Sequence, residues 1–73
     1  MTPYRCWFYL ATLAQPRFDI LHAETDAEAR GLVSHILRDA PQIDRVEVWR
    51  DGDLAFRLNQ RQIHLEMRYA GRA

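Results

Sequence analysis

ETDAEARGLVSHILRDAP, residues 24–41, decides the architecture, because it joins a start signal to a stop signal through one constant period. Thr25 followed by Glu28 is a capping box, a hydroxyl and a carboxylate placed to satisfy the first unpaired N–H groups of a helix. Ala29, Leu32, Val33, Ile36, Leu37 and Ala40 then recur every three or four residues and form one apolar stripe. Pro41 ends the run, since the residue before a proline is driven out of helical geometry. Asp26 and Glu28 near the start and His35 and Arg38 near the end match the helix dipole. Asp26 and Arg30 are spaced as an i,i+4 pair. Ala27, Gly31 and Ser34 are expected on the solvent side.

On either side of this helix the period changes from 3.6 to two. Upstream, residues 4–13 (YRCWFYLATL) are aromatic and β-favouring, with Cys6, Phe8 and Leu10 alternating against Trp7 and Tyr9. Ala14-Gln15-Pro16 is a turn signal, and residues 17–23 form a second strand with Phe18 and Ile20 expected inward and Leu21 outward. The short connection requires an antiparallel hairpin.

Downstream, Ile43–Arg50 alternates Val46 and Val48 with Glu47 and Trp49. Asp51-Gly52 is a strong hairpin signal. A two-residue loop there would set the two valines opposite Arg57 and Ala55. A three-residue loop, Arg50-Asp51-Gly52, sets Val48 opposite Leu54 and Val46 opposite Phe56, which keeps one face apolar and is the expected register. Leu54, Phe56 and Leu58 then point inward. In the tail, Ile63, Leu65, Met67 and Tyr69 alternate with polar residues and read as a fifth strand. Asn59 as a cap and Gly71 as a stop would suit a helix equally, though a helix would scatter Leu65 and Tyr69 away from Ile63 and Met67.

The expected fold is therefore a single α+β domain over residues 1–73: β-β-α-β-β with a fifth C-terminal strand, an antiparallel sheet carrying one helix on one face. Its core is expected to contain Cys6, Phe8, Leu10, Phe18, Ile20, Leu32, Val33, Ile36, Leu37, Val46, Val48, Leu54 and Phe56.

With 73 residues, such a chain buries roughly 60% of its unfolded surface, and scaffolds this small are often stapled by disulfides, metals or partners. Cys6 is the single cysteine, which excludes an internal disulfide, and His22, His35 and His64 lack metal-ligand spacing. No cofactor or metal site is expected. Elimination leaves a partner chain, most simply a second copy. Ten arginines balance ten acidic residues for a net charge of zero, which argues against binding polyanions or anionic membranes. No apolar run has the length of a membrane span and the N-terminus lacks a secretion-signal layout, so a cytoplasmic location with Cys6 reduced is expected. The arginine and alanine usage suggests a GC-rich bacterial origin.

One helix covers one side of a sheet, and the other side is not polar. Trp7, Tyr9, Leu21 and Trp49 are expected there, ringed by Arg5, Arg45, Glu47 and Arg57. Aromatic and arginine enrichment is the composition of protein interfaces, so the expected function is non-enzymatic protein–protein interaction, with homodimerisation through this face. The alternative is single-stranded nucleic-acid binding by base stacking on the same rings; the neutral charge and the lack of an RNP-type motif count against it. No nucleophile, base and orienting group can be assembled into a catalytic set. Residues 23–29, A-x-T-x-x-E-A, are similar to the strand-to-helix junction of HicB-type antitoxins over one helical turn, and no role is taken from that likeness.

Overall fold

The computed structural model describes the backbone of residues 1–70 and the side chains of residues 1–65. Strand β1 (Thr2–Leu10) and strand β2 (Arg17–Ala23) form the first hairpin, helix α1 (Asp26–Asp39) follows, and β3 (Ile43–Arg50) and β4 (Asp53–Asn59) form the second. The four strands make one antiparallel sheet in the order β2-β1-β3-β4. α1 begins where expected. Thr25 is extended and its hydroxyl accepts from the Glu28 N–H at 3.1 Å.

The tail is a helix, α2 (Gln60–Ala70), and not the fifth strand its alternation suggested. Local capping decided the matter. Asn59 accepts from the Gln62 N–H at 2.8 Å, while Gln62 accepts from the Asn59 N–H at 3.0 Å. That is a reciprocal capping box. The Gln60 amide also donates to the carbonyls of Leu37 at 2.8 Å and Ala40 at 3.1 Å, closing the otherwise unpaired C-terminal end of α1. Of the alternating residues, Ile63 is buried and Leu65 is exposed, the scatter a helix imposes. Met67 and Tyr69 lie outside the described side chains, and Gly71 outside the described residues.

Both helices lie on one side of the sheet, and the core is the layer between. It consists of Tyr4, Cys6, Phe8, Ala23, Ala29, Val33, Leu37, Ile43, Val46, Val48, Leu58 and Ile63, with Leu10, Leu21, Ile36, Ala55 and Phe56 packed against it. Four expected core residues lie elsewhere: Phe18, Ile20, Leu32 and Leu54 are all exposed. In α1 the buried stripe is turned toward Ser34, which is buried where Leu32 was expected to be. Ser34 therefore leaves the solvent-side group with Ala27 and Gly31.

The parity of β2 is the larger correction. Trp7 pairs with Phe18 and Arg5 with Ile20, so both apolar residues share the outer face, while Leu21 pairs with Tyr4 on the inner face. The cause is the short link to α1. Ala23, the last residue of β2, is fully buried in the same core cluster as the equally buried Ala29 of the first helical turns. Only a small side chain fits under a helix starting so close, and period two then forces Leu21 inward and Phe18 and Ile20 outward.

The second hairpin corrects the expected register: the loop is the two-residue Asp51-Gly52 and not the three-residue Arg50-Asp51-Gly52, and neither Val48 opposite Leu54 nor Val46 opposite Phe56 is formed. Asp51 (φ 51°) and Gly52 (φ 83°) both adopt left-handed backbone, and Arg50 pairs with Asp53 and Trp49 with Leu54, as in a two-residue type I′ turn. A bulge at Ala55 then shifts the register, so that Val48 meets Phe56 and Val46 meets Leu58. The apolar face is restored beyond the bulge, and Leu54, before it, is left on the outer face.

A partly buried polar cluster ties three elements together. The Tyr4 hydroxyl donates to Asp26 Oδ1 at 2.7 Å, and the Arg50 guanidinium donates to the same oxygen. The Tyr4 hydrogen bond and the Arg50 partner hold the Asp26 carboxyl below its ordinary range. Asp26 occupies the first turn of α1, where a negative charge also suits the helix dipole.

Candidate interaction surface

Cross-strand register arranges the outer face in rows. Ile20, Arg5, Trp49 and Leu54 form one row across all four strands; Phe18, Trp7, Glu47 and Arg57 form the next; Tyr9, Arg45 and Asn59 form a third. Of the seven residues expected on this surface, Arg5, Trp7, Tyr9, Arg45, Trp49 and Arg57 lie on it. Leu21 does not, for the reason given by Ala23. Phe18, Ile20 and Leu54 join it unexpectedly. A signal for the first two was present in the sequence: the small Ala23 immediately before the cap of α1 sets the parity of β2.

Two halves of this surface differ in character. Toward β2, the Trp7 and Phe18 rings meet at 4.7 Å with a 50° tilt, an edge-type aromatic contact. Trp7 remains 37% exposed, Phe18 45% and Ile20 48%. Toward β4, Glu47 accepts from the Tyr9 hydroxyl at 3.2 Å and pairs with Arg57 at 3.6 Å. The Arg45 guanidinium lies 4.1 Å above the Tyr9 ring, a cation–π contact. The Arg57 end of the network is largely in solvent, so that ion pair adds little stability by itself. The network does hold its side chains in defined places. Three arginines and one glutamate give this face a positive balance in a chain of zero net charge.

Elsewhere the chemistry is sparse. Burial pushes the Cys6 thiol up to about 11, with Asp19 adding to the effect. At neutral pH about one thiol in ten thousand is then ionised, which makes it a packing residue and not a nucleophile. An open cleft of about 340 Å³ lies where α1 fails to cover β2. The apolar Phe8, Leu10, Phe18, Ile36 and Ile43 and the polar Arg17, Asp19 and Gln42 line it, and among the described residues no histidine, cysteine, serine or threonine does. Among the described residues no group of histidine, cysteine and acidic side chains is placed to hold a metal ion. Among them, too, no helix is long and apolar enough to cross a membrane.

Fold and surface together define an open-faced α+β sheet, with helices on one side and an aromatic, arginine-bearing surface on the other. No protein-family profile, curated protein or solved structure matches this chain.

Proposed function

We propose that this protein is a non-enzymatic interaction module that associates with a second copy of itself through the outer sheet face, in the cytoplasm, where Cys6 stays reduced. The observation that carries the reading is the uncovered face itself, with Trp7, Phe18 and Ile20 on the adjacent strands β1 and β2 and Leu54 on β4 between 37% and 48% exposed. Monomeric proteins seldom leave a contiguous apolar patch of this kind open. The molecule is a slab of 37 × 31 × 17 Å, so its broad side can supply the about 800 Å² per partner that a stable interface takes. A second sheet packed about 10 Å above the first would turn two thin slabs into one thicker body, with a third apolar layer added between the two cores.

The arginine excess on this face favours single-stranded nucleic acid as the second reading. The rings are poorly placed for it: Arg45 occupies one face of Tyr9, and Trp7 leans on Phe18. Light scattering after size exclusion separates the possibilities. A dimer that Trp7→Asp or Phe18→Asp converts to a folded monomer is the expected result. A wild-type protein that stays monomeric at high concentration overturns the dimer. Salt-reversible quenching of tryptophan fluorescence by an oligonucleotide would favour the nucleic-acid reading.

A further inference from the structure

Arg5 stands in the middle of the row Ile20, Arg5, Trp49 and Leu54, flanked by apolar side chains, and has no hydrogen-bond or ion-pair partner among the described residues. Glu47 is the acid among the outward residues of these rows. It is partly buried, and Tyr9 and Arg57 take one contact each of the roughly four a carboxylate can accept. A cation set among apolar neighbours is poorly placed in a face that becomes buried, unless an acceptor comes with the covering surface.

The register brings these two residues into a particular relation. Arg5 pairs with Trp49, and Trp7 pairs with Glu47, on the central strands β1 and β3. The four residues are therefore the corners of a rectangle about 4.8 Å across the strands and about 7 Å along them. Arg5 and Glu47 occupy one diagonal, and Trp7 and Trp49 the other. An isologous interface requires that a residue meeting its counterpart be met by it in return. A two-fold axis laid in the plane of contact along the Trp7–Trp49 diagonal satisfies that requirement. Each tryptophan then meets its own copy. Each Arg5 falls within about 3 Å of the position above Glu47 of the other copy, well inside the reach of an arginine side chain.

We infer that this protein forms a two-fold, face-to-face dimer whose axis runs along the Trp7–Trp49 diagonal, with Arg5 of each copy paired to Glu47 of the other. The inference rests on the self-association proposed above and adds the register of the contact. Because the diagonal lies about 35° from the strands, the two sheets cross at about 70°, closer to the orthogonal than to the aligned class of sheet packing.

Charge reversal tests the pairing. Arg5→Glu and Glu47→Arg each place two like-charged pairs in the homodimer, and each should weaken dimerisation at least about tenfold. Mixed in equal amounts, the two variants set opposite charges against each other at both pairs, one pair in the native sense and one reversed, and a heterodimer of near wild-type affinity is expected. The double variant should likewise dimerise. Arg57→Glu carries the same charge change as Arg5→Glu but leaves Arg5 in place, so its heterodimer with Glu47→Arg keeps one like-charged pair and should be clearly weaker than the heterodimer with Arg5→Glu. A wild-type monomer overturns the self-association itself. A wild-type dimer whose reversed variants are not rescued by mixing, or are rescued equally by Arg57→Glu, overturns this pairing and leaves the dimer standing. Should a reversal fail to fold, Arg5→Gln, Glu47→Gln and their double form a milder cycle: non-additive losses of affinity are expected, and additive losses overturn the pairing.

Discussion

Asp26 shows how much one side chain does in a domain this small. It opens the first turn of α1, accepts the buried Tyr4 hydroxyl from β1, and pairs with Arg50 at the end of β3. Those two donors favour its charged form and lower its pKa in the folded state. A carboxyl depressed in this way stabilises the fold above its unfolded value of about 3.9, and the contribution is lost as pH falls through the folded value. Asp26→Asn should therefore lower the urea midpoint at pH 6, and the gap to wild type should shrink below about pH 4. A gap constant from pH 6 to pH 2 would show that the charge contributes nothing. Gly31 makes the opposite case, since an added methyl there meets nothing within 4 Å. Mid-helix glycine costs about 1 kcal/mol relative to alanine, so Gly31→Ala should raise Tm by roughly 4–8 °C in a chain of this length. An unchanged or lower Tm would mean that the position serves something other than the helix.

The elements were legible in unequal degree. The bounds of α1 were legible because its cap and terminator agree with the period between them, while its buried face was turned by one position, with Ser34 inside and Leu32 outside. α2 was not legible, because Ile63, Leu65, Met67 and Tyr69 fit period two, and in this stretch the capping geometry outweighs the alternation. Asn59-x-x-Gln62 carries the same chemistry as a Thr-x-x-Glu box, and it both starts α2 and positions Gln60 over the end of α1. Asn59→Ala should cost about 1 kcal/mol, seen as a lower urea midpoint with reduced helical circular dichroism, and Asn59→Ser should recover most of it. An Asn59→Ala protein of wild-type stability would mean that packing of Ile63 alone holds α2. The bulge at Ala55 is the other feature hidden from sequence. It allows Asp51-Gly52 to form its preferred tight turn while Val46 and Val48 still face apolar partners.

As a whole the molecule is two layers thick, and its sheet has cover on one side. The β2 edge is guarded in a modest way: the Asp19 carboxylate accepts from the Ile20 N–H at 2.8 Å, occupying a donor on the edge strand. Edge pairing is thus discouraged, whereas the outer face carries no comparable protection. If folding and self-association are coupled, Tm depends on concentration. A fall of roughly 3–5 °C per tenfold dilution is expected for the wild type, and none for Phe18→Asp. A concentration-independent Tm for both proteins would indicate that the face plays no part in stability.

Sequence by itself determined the α+β class, the capped amphipathic helix, the four strands and the outward placing of Arg5, Trp7, Tyr9, Arg45, Trp49 and Arg57, because each of these follows from local period and local caps. Tertiary structure decided the rest. Which side of β2 faces the core depends on how closely α1 can approach Ala23, and which side of β4 does so depends on a bulge; neither is encoded in alternation, which is symmetric between two apolar faces. That symmetry is why Phe18, Ile20 and Leu54 were assigned to the core and Leu21 to the surface. Packing broke it, and in doing so moved three apolar side chains to the face that α1 leaves open.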